Sequence, residues 1–493
     1  MRILCIANSG RGAGRVVRSR GPIRSSITPH RCVTVFATIV GRNVTHAVNT
    51  KQHGRPRHTR TMPDEISSQT QAILGDMARY EPRAMMTQAP IVWEHADGHV
   101  ITDLDGKSYI DFSSGIIVAN VGHAHPRLVA ALREMLDQKL LHGYLFGTRV
   151  RAQLAKALVD FTPANLTKAC LLSTGTEVIE AAMKISRMHG LSIHPRKNVI
   201  VAFQGSFHGR TMAAQMLADR EPDKQWITCR DPDIVHLPFP YDDDAGAWTL
   251  KRDLRQLEDA GIDPARIAAF VVEGYQGIHG PTFWPISYVH ALRSWAGDNE
   301  ALIIIDEIQS GFGRTGKLFC YEHYGIDADL VCAGKGMGGG LPISAVLGPA
   351  RLLDLPEAGQ MTSTHSGNPL CCAAALATIQ IMQDADLVNE AARKGRIIEQ
   401  KLTAIRQRFP DRIGKVSGKG MVFSIYFVKP GTQEYDLDTG CRATEQAIAN
   451  GLMLYLTHSD MVKLTPPLSI PDDALIEGLD ILADTVKQVI CGA

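Results

Sequence analysis

Acidic residues are missing from the first 63 positions of this 493-residue chain, which carry eleven arginines and one lysine instead. Setting those twelve aside leaves 40 basic residues against 51 acidic ones, so the rest of the chain is net −11 although the whole is net +1. That balance offers no basic surface for nucleic acid. Residues 1–61 also lack helical or strand periodicity. Their apolar stretch Cys32–Val40 is short and far from the terminus, which argues against a secretory signal. Two readings of the segment remain open. It is a transit-type segment, which would put the protein in the mitochondrial matrix, or a basic unstructured extension upstream of a start at Met62. The second is preferred because no clean amphipathic helix is visible, and it goes with a cytoplasmic location.

Long apolar runs are absent as well: none reaches the roughly 18 residues that a membrane span needs. The ten cysteines show no metal spacing, and the adjacent Cys371 and Cys372 suit neither a usual disulfide nor a zinc clip. Free thiols in a reducing compartment are expected, with no metal site. No internal repeat or low-complexity tract appears. Apolar residues at 45% and charged residues at 21% are ordinary for a globular chain. The length suits one large α/β body with a satellite domain.

Short strands with turns are expected from Pro90 to Phe112, with Asp105-Gly106 as a hairpin signal. A helix begins at Pro126, and another follows Thr174-Gly175 with Gly190 as its stop. Buried strands alternate with helices thereafter. Val199–Phe203 is one; Ile267–Val272 ends at Glu273, Ala301–Ile305 at Asp306, and Leu330–Ala333 just before Lys335. That alternation predicts a mostly parallel sheet covered on both faces. Beyond it, helices over Asn368–Ile381, Arg393–Phe409 and Asp472–Val489 and strands over Met421–Val428 and Met453–Thr465 suggest a smaller α+β domain. The expected division is an extension at 1–61, an N-terminal part of the small domain at 62–117, a large domain at 118–380, and the C-terminal small domain at 381–493.

Three local patterns carry chemistry. Asp306 stands at the tip of a buried strand, where a carboxylate needs a cationic partner or several donors; capping the next turn is the plainer reading. Lys335 stands alone among glycines in Ala333-Gly-Lys-Gly-Met-Gly-Gly-Gly-Leu-Pro342. The order is wrong for a Walker loop, but a lysine desolvated in such a pocket attacks carbonyls; a solvated loop lysine is the bland alternative. Ser173-Thr-Gly-Thr-Glu177 opens a helix, which makes either a phosphate site or a simple capping box.

Together these patterns resemble the class III, fold-type I aminotransferases that use pyridoxal phosphate. The resemblance runs from about Pro90 to Leu482. It includes Val121-Gly-His-Ala-His-Pro126, Phe207-His-Gly-Arg-Thr211 and Ser366-Gly-Asn-Pro-Leu370. Asp306, Lys335 and Thr364 follow each other at equal intervals of 29. The resemblance implies that Lys335 holds the cofactor as a Schiff base and then moves a proton, and that Asp306 pairs with the pyridine nitrogen. Gln309 would meet the ring hydroxyl, Gly175 and Thr176 the phosphate, and Phe207 the ring face. His208 and Glu273 would stand near the cofactor. Thr364 would reach the phosphate in a partner subunit, implying a homodimer with shared sites.

The substrate side departs from the family's pattern. The usual second glutamate of its Glu-Pro-Val-Gln-Gly-Glu segment is Ile278 here, and the arginine it pairs with is Lys463. Lysine offers a point charge where arginine offers a fork. With an apolar Ile278 opposite, Lys463 is expected to be solvated or paired with another acid. Arg210 matches an arginine that binds a substrate carboxylate, though a salt bridge to a loop acid is an equal reading. Ile116 is a further substrate candidate. The function implied is transfer of an amino group from an ω-amine or a 4-aminobutyrate-like amino acid to a keto acid, through pyridoxamine phosphate. An amino-acid racemase or a decarboxylating transaminase is the rival on the same scaffold.

Overall fold

The computed structural model describes residues 66–492, apart from 86–88, 242–248, 279 and 457–460. The expectations for residues 1–61 lie outside the described residues. Seven strands form the central sheet, in the spatial order Lys168–Leu172, Ser344–Gly348, Leu330–Ala333, Leu302–Asp306, Ile267–Glu273, Val199–Phe203 and Ile234–Leu237. All run parallel except Ser344–Gly348, which is antiparallel to both neighbours. Every residue of Val199–Phe203, Ile267–Glu273, Leu302–Asp306 and Leu330–Ala333 is buried. Such strands read as continuous apolar runs because helices cover both faces of the sheet. Lys168–Leu172 and Ile234–Leu237 are edge strands with partly exposed residues, and their patterning is correspondingly weaker.

Two helix boundaries differ from expectation for physical reasons. The helix that opens at Gly175 passes through Gly190 and runs to Ile193. Gly190 is a packing site: a Cβ there would fall 2.1 Å from the carbonyl oxygen of Lys197. The expected Arg393–Phe409 helix starts earlier, at Leu387, and ends at Arg408. The apolar helix Pro369–Asp384 is capped by Asn368 and buried against Pro126–Asp137 and Arg149–Phe161. Among the described residues, no single helix is long and apolar enough to cross a membrane.

The expected strand over Met453–Thr465 is two strands with different partners. Leu452–Met453 lies parallel to Ser108–Asp111, completing the N-terminal sheet with Trp93–Asp97 and Val100–Asp103. Met461–Leu464 lies antiparallel to Val422–Phe427, which pairs in turn with Ile413–Lys419. The second of these sheets carries Lys463 to Gln309, which lines the cavity at the carboxyl ends of the central strands, where open α/β sheets bind ligands.

Candidate active site

In-register pairing of Ile267–Glu273 with Leu302–Asp306 puts Glu273 beside Asp306, and Asp306 beside Cys332 on the next strand. Lys335 follows three residues later, so three chemically active side chains gather at adjacent strand ends. They line a cavity of about 330 Å³ together with Phe207, Thr176 and Gln309.

Asp306 is buried, and both expectations for it hold at once. One carboxylate oxygen caps the next turn, accepting from the Ile308 N–H at 3.1 Å. The other meets Nδ1 of the buried His208 at 2.9 Å, while Nε2 of that ring has no partner among the described residues. Glu273 accepts from the backbone N–H groups of Phe207 and Gly277, both at 3.1 Å. Burial pushes its pKa up to about 7, with His208 opposing and Asp306 adding to the rise. Burial likewise lowers the pKa of the Lys335 amine, against the pull of Asp306 and Glu273. Lys335 also has φ of 42°, a strained left-handed conformation for a side-chain-bearing residue. A desolvated amine with a lowered pKa is more often neutral, as a nucleophile toward carbonyls must be.

At the other end, Thr174 and Glu177 form a full capping box at the start of the Gly175–Ile193 helix. The capping reading and an anion site are compatible there, because the box leaves other N–H groups of the first turn to face the cavity. The Thr176 hydroxyl lies 2.5 Å from that of Thr211, which donates to Glu180. A Cβ on Gly209 would come within 2.3 Å of the Thr176 oxygen, so this approach requires glycine.

The remaining candidates are distributed unequally. Ile278 lines the cavity. Lys463 is 6% exposed, and its Nζ donates to the Gly277 carbonyl at 2.8 Å and to Gln309 Oε1 at 2.9 Å. The expectation that it is solvated or paired with an acid is therefore corrected: neutral oxygens hold it. Burial, with help from the nearby Lys335 charge, lowers its pKa to about 7 against the pull of Glu273. Arg210 is exposed, with its guanidinium 5.1 Å from the centre of the Phe207 ring, and no salt bridge to an acid is formed among the described residues. Ile116 is 44% exposed and does not line the cavity; Val118 does. Thr364 is exposed and outside the lining, its carbonyl accepting from His142 at 2.9 Å.

Val118 escaped sequence reasoning because its place depends on a left-handed turn. Ser114, Gly115, Ile116 and Ile117 all have positive φ, between 48° and 67°. Each non-glycine residue there costs roughly 1–2 kcal/mol. Asp111 offsets the strain by accepting from Ser113 and Ser114, and the Ser114 hydroxyl donates to the Thr465 carbonyl at 2.6 Å. Nothing in Ser-Gly-Ile-Ile announces that turn. Arg314 was missed too. It is fully buried and joins Asn120 to the carbonyls of Met421 and Pro466, so it ties three chain segments behind the cavity.

The cavity thus offers a buried carboxylate, a nucleophilic amine, a helix N-terminus and an aromatic face. Pyridoxal phosphate, with its ring nitrogen, aldehyde, phosphate and flat ring, fits that donor set. The family model "Aminotransferase class-III" matches residues 82–486. The chain is 34% identical to a 4-aminobutyrate aminotransferase of Mycobacterium leprae over 82% of its length and 92% of that protein's. It is 33% identical to a probable 4-aminobutyrate aminotransferase of Bacillus subtilis, covering 78% and 90%. An (S)-enantioselective omega-transaminase from Thermomicrobium roseum superposes with a TM-score of 0.77 at 25% identity, covering 87% of this chain and 99% of that one. The chain belongs to the class III aminotransferases, and it is a pyridoxal-phosphate-dependent transaminase of fold type I.

Proposed function

We propose that the amino donor is an ω-amine or ω-amino acid of the 4-aminobutyrate type, and that the residues gathered at the strand ends divide the work as follows. Lys335 holds pyridoxal phosphate covalently. It then carries a proton to and from the substrate carbon that bears the amine. Asp306 faces the pyridine nitrogen, oriented by His208. Backbone N–H groups at Gly175 and Thr176 bind the phosphate, and the Thr176 hydroxyl orients the loop through Thr211. Phe207 supports the ring face, Gln309 faces the ring hydroxyl, and Glu273 holds Phe207 in place through its backbone. Once bound, the cofactor supplies an electron sink for the carbanion formed at the substrate.

The single observation that favours the ω-amino acid within that class is Arg210. It lies against Phe207 beside the cavity with no acid paired to it among the described residues, available to a carboxylate at the far end of a substrate. The 4-aminobutyrate names of the relatives point the same way. We further propose a cytoplasmic homodimer with shared sites, in which Thr364 serves the partner's phosphate. Its exposure outside its own cavity supports this, as do the exposed Leu141, Leu145 and Phe146, the last 82% exposed. Apolar side chains in such a run are expected to be covered.

The test is a screen of amines against keto acids with purified protein. Transfer from 4-aminobutyrate or a diamine, at a rate well above that from α-amino acids, is expected. Arg210→Ala should raise KM for 4-aminobutyrate by about tenfold, the worth of one charge-assisted contact, and leave an amine without a carboxylate unaffected. Equal loss for both donors would remove the carboxylate role.

A further inference from the structure

Lys463 is a buried amine held by two acceptors. The Gly277 carbonyl and Gln309 Oε1 lie 2.8 and 2.9 Å from its Nζ, and no carboxylate forms an ion pair with it among the described residues. The contact settles which way the Gln309 amide faces. An ammonium group only donates, so the amide oxygen must turn toward Lys463, and the amide NH₂ lies on the other side. A neutral amine keeps two N–H bonds, enough for both contacts, so the arrangement survives loss of the charge. Gly277 completes the clamp: a Cβ there would fall 2.3 Å from Gln309 Oε1, so only glycine lets the amide pack so closely. The side chain is thus held from two directions while Gln309 lines the cavity. With two of its N–H groups engaged here, the ammonium keeps at most one for a substrate carboxylate, and Lys463 is not among the residues that line the cavity.

We propose that Lys463 is a positioning residue for the cofactor, acting through Gln309. By accepting its hydrogen bond, the Gln309 oxygen fixes the amide so that its NH₂ is presented to the ring hydroxyl of pyridoxal phosphate. The role replaces, in this chain, that of a grip for a substrate carboxylate. The proposal rests on the reading above that Gln309 faces the ring hydroxyl.

The experiment is a double-mutant cycle read without substrate. Wild type, Lys463→Met, Gln309→Ala and the double variant are stripped of cofactor. The dissociation constant for pyridoxal phosphate is then measured by equilibrium dialysis, and the visible absorbance of each reloaded protein is titrated with pH. Lys463→Met should weaken cofactor binding by about tenfold, as expected for loss of one positioned hydrogen bond, and should move the midpoint of the absorbance titration. In the Gln309→Ala background the same change should do nothing more. Lys463→Arg, which keeps N–H donors, should restore most of the affinity. If Lys463→Met does not fold, Lys463→Gln replaces it, since its amide ends one bond short of the lysine amine.

Additive effects in the cycle would overturn the proposal, because Lys463 would then act independently of Gln309. Unchanged cofactor binding and absorbance in Lys463→Met, with a raised KM for a dicarboxylic keto acid, would overturn it in favour of the carboxylate grip. If Gln309→Ala alone changes neither affinity nor spectrum, the reading of Gln309 falls and the proposal falls with it. That outcome is distinct from additivity, in which only the proposal is lost.

Discussion

Gln309 has parallel strand ends that line the cavity on one side and, outside that lining, an antiparallel sheet from the C-terminal segment on the other, and the two sides manage buried charge differently. On the first side, Asp306 is met by His208 and a backbone N–H, and Lys335 lies within the field of Asp306 and Glu273. Acids and an amine thus lie in one another's fields there, as low-dielectric surroundings favour. On the second side, Lys463 faces neutral oxygens and an apolar Ile278 is close by, and the amine escapes the cost of a buried cation by a lowered pKa. The first side has the chemistry of a cofactor site whose charges must persist through turnover. The second resembles a frame in which charge is optional.

The sharpest way to break this comparison is to remove charge from the first side. Lys335→Ala should lower turnover by at least ~1,000-fold, the range in which a proton-transferring group contributes. The reloaded protein should also lose the yellow band that borohydride bleaches in wild type. Matching spectra in the two proteins would put the covalent lysine elsewhere. Next in size, Asp306→Asn keeps the shape and removes the charge, and turnover should fall by about 100-fold as an electrostatic term of a few kcal/mol disappears. A variant within about threefold of wild type would mean that Asp306 serves His208 and the turn alone.

The second side should respond more weakly, and in specificity rather than rate. Ile278→Glu with Lys463→Arg rebuilds an acid–arginine pair at the place where the chain has neither partner. The specificity constant for 2-oxoglutarate relative to pyruvate should rise by about tenfold, as one bidentate charge-assisted contact is gained. Wild type should use pyruvate or another small acceptor at least as well as 2-oxoglutarate. A strong wild-type preference for 2-oxoglutarate, unchanged in the double variant, would assign carboxylate recognition to Arg210.

The two sides also differed in how far the sequence disclosed them. Continuous apolar strands ending in Glu273 and Asp306 and stopping just before Lys335 were legible because burial on both faces forces apolar residues at every position. The in-register alignment that unites them was only implied by those strand ends. The identity of Lys463 as a departure was visible, but its partners were not. Gly277 and Gln309 are 186 and 154 positions away, and no local pattern encodes such a meeting. The expectation of a solvated or acid-paired lysine weighed charge and omitted neutral acceptors, which a lysine with a lowered pKa accepts readily. The left-handed turn at Ser114–Ile117 was illegible for a different reason. β-Branched residues oppose that conformation locally, and contacts with distant residues such as Thr465, together with those of Asp111, enforce it.

The smallest expected effect concerns the pH dependence of stability, and it separates a neutral Lys463 from a charged one. In the folded protein its pKa is lowered to about 7, whereas the unfolded chain keeps the ordinary value near ~10.4. Between those values the unfolded chain binds a proton that the folded chain does not. Folding stability therefore rises with pH across that window and is lost as pH falls toward 7. Below 7 both states are protonated, and the contribution is flat. Lys463→Met removes the titration while leaving Glu273 and Glu307 in place, whose own upward shifts to about 7 act in the opposite direction in both proteins. The difference between wild type and Lys463→Met should thus be constant from pH 6 to 7 and grow in favour of wild type from pH 7 to 9. In a chain of this size that amounts to a Tm change of roughly 2–3 °C. Thermal unfolding of both reloaded proteins at half-unit pH intervals measures it. A difference that stays level up to pH 9 would show that the amine keeps its proton, and that the buried lysine is a true cation despite its neutral surroundings.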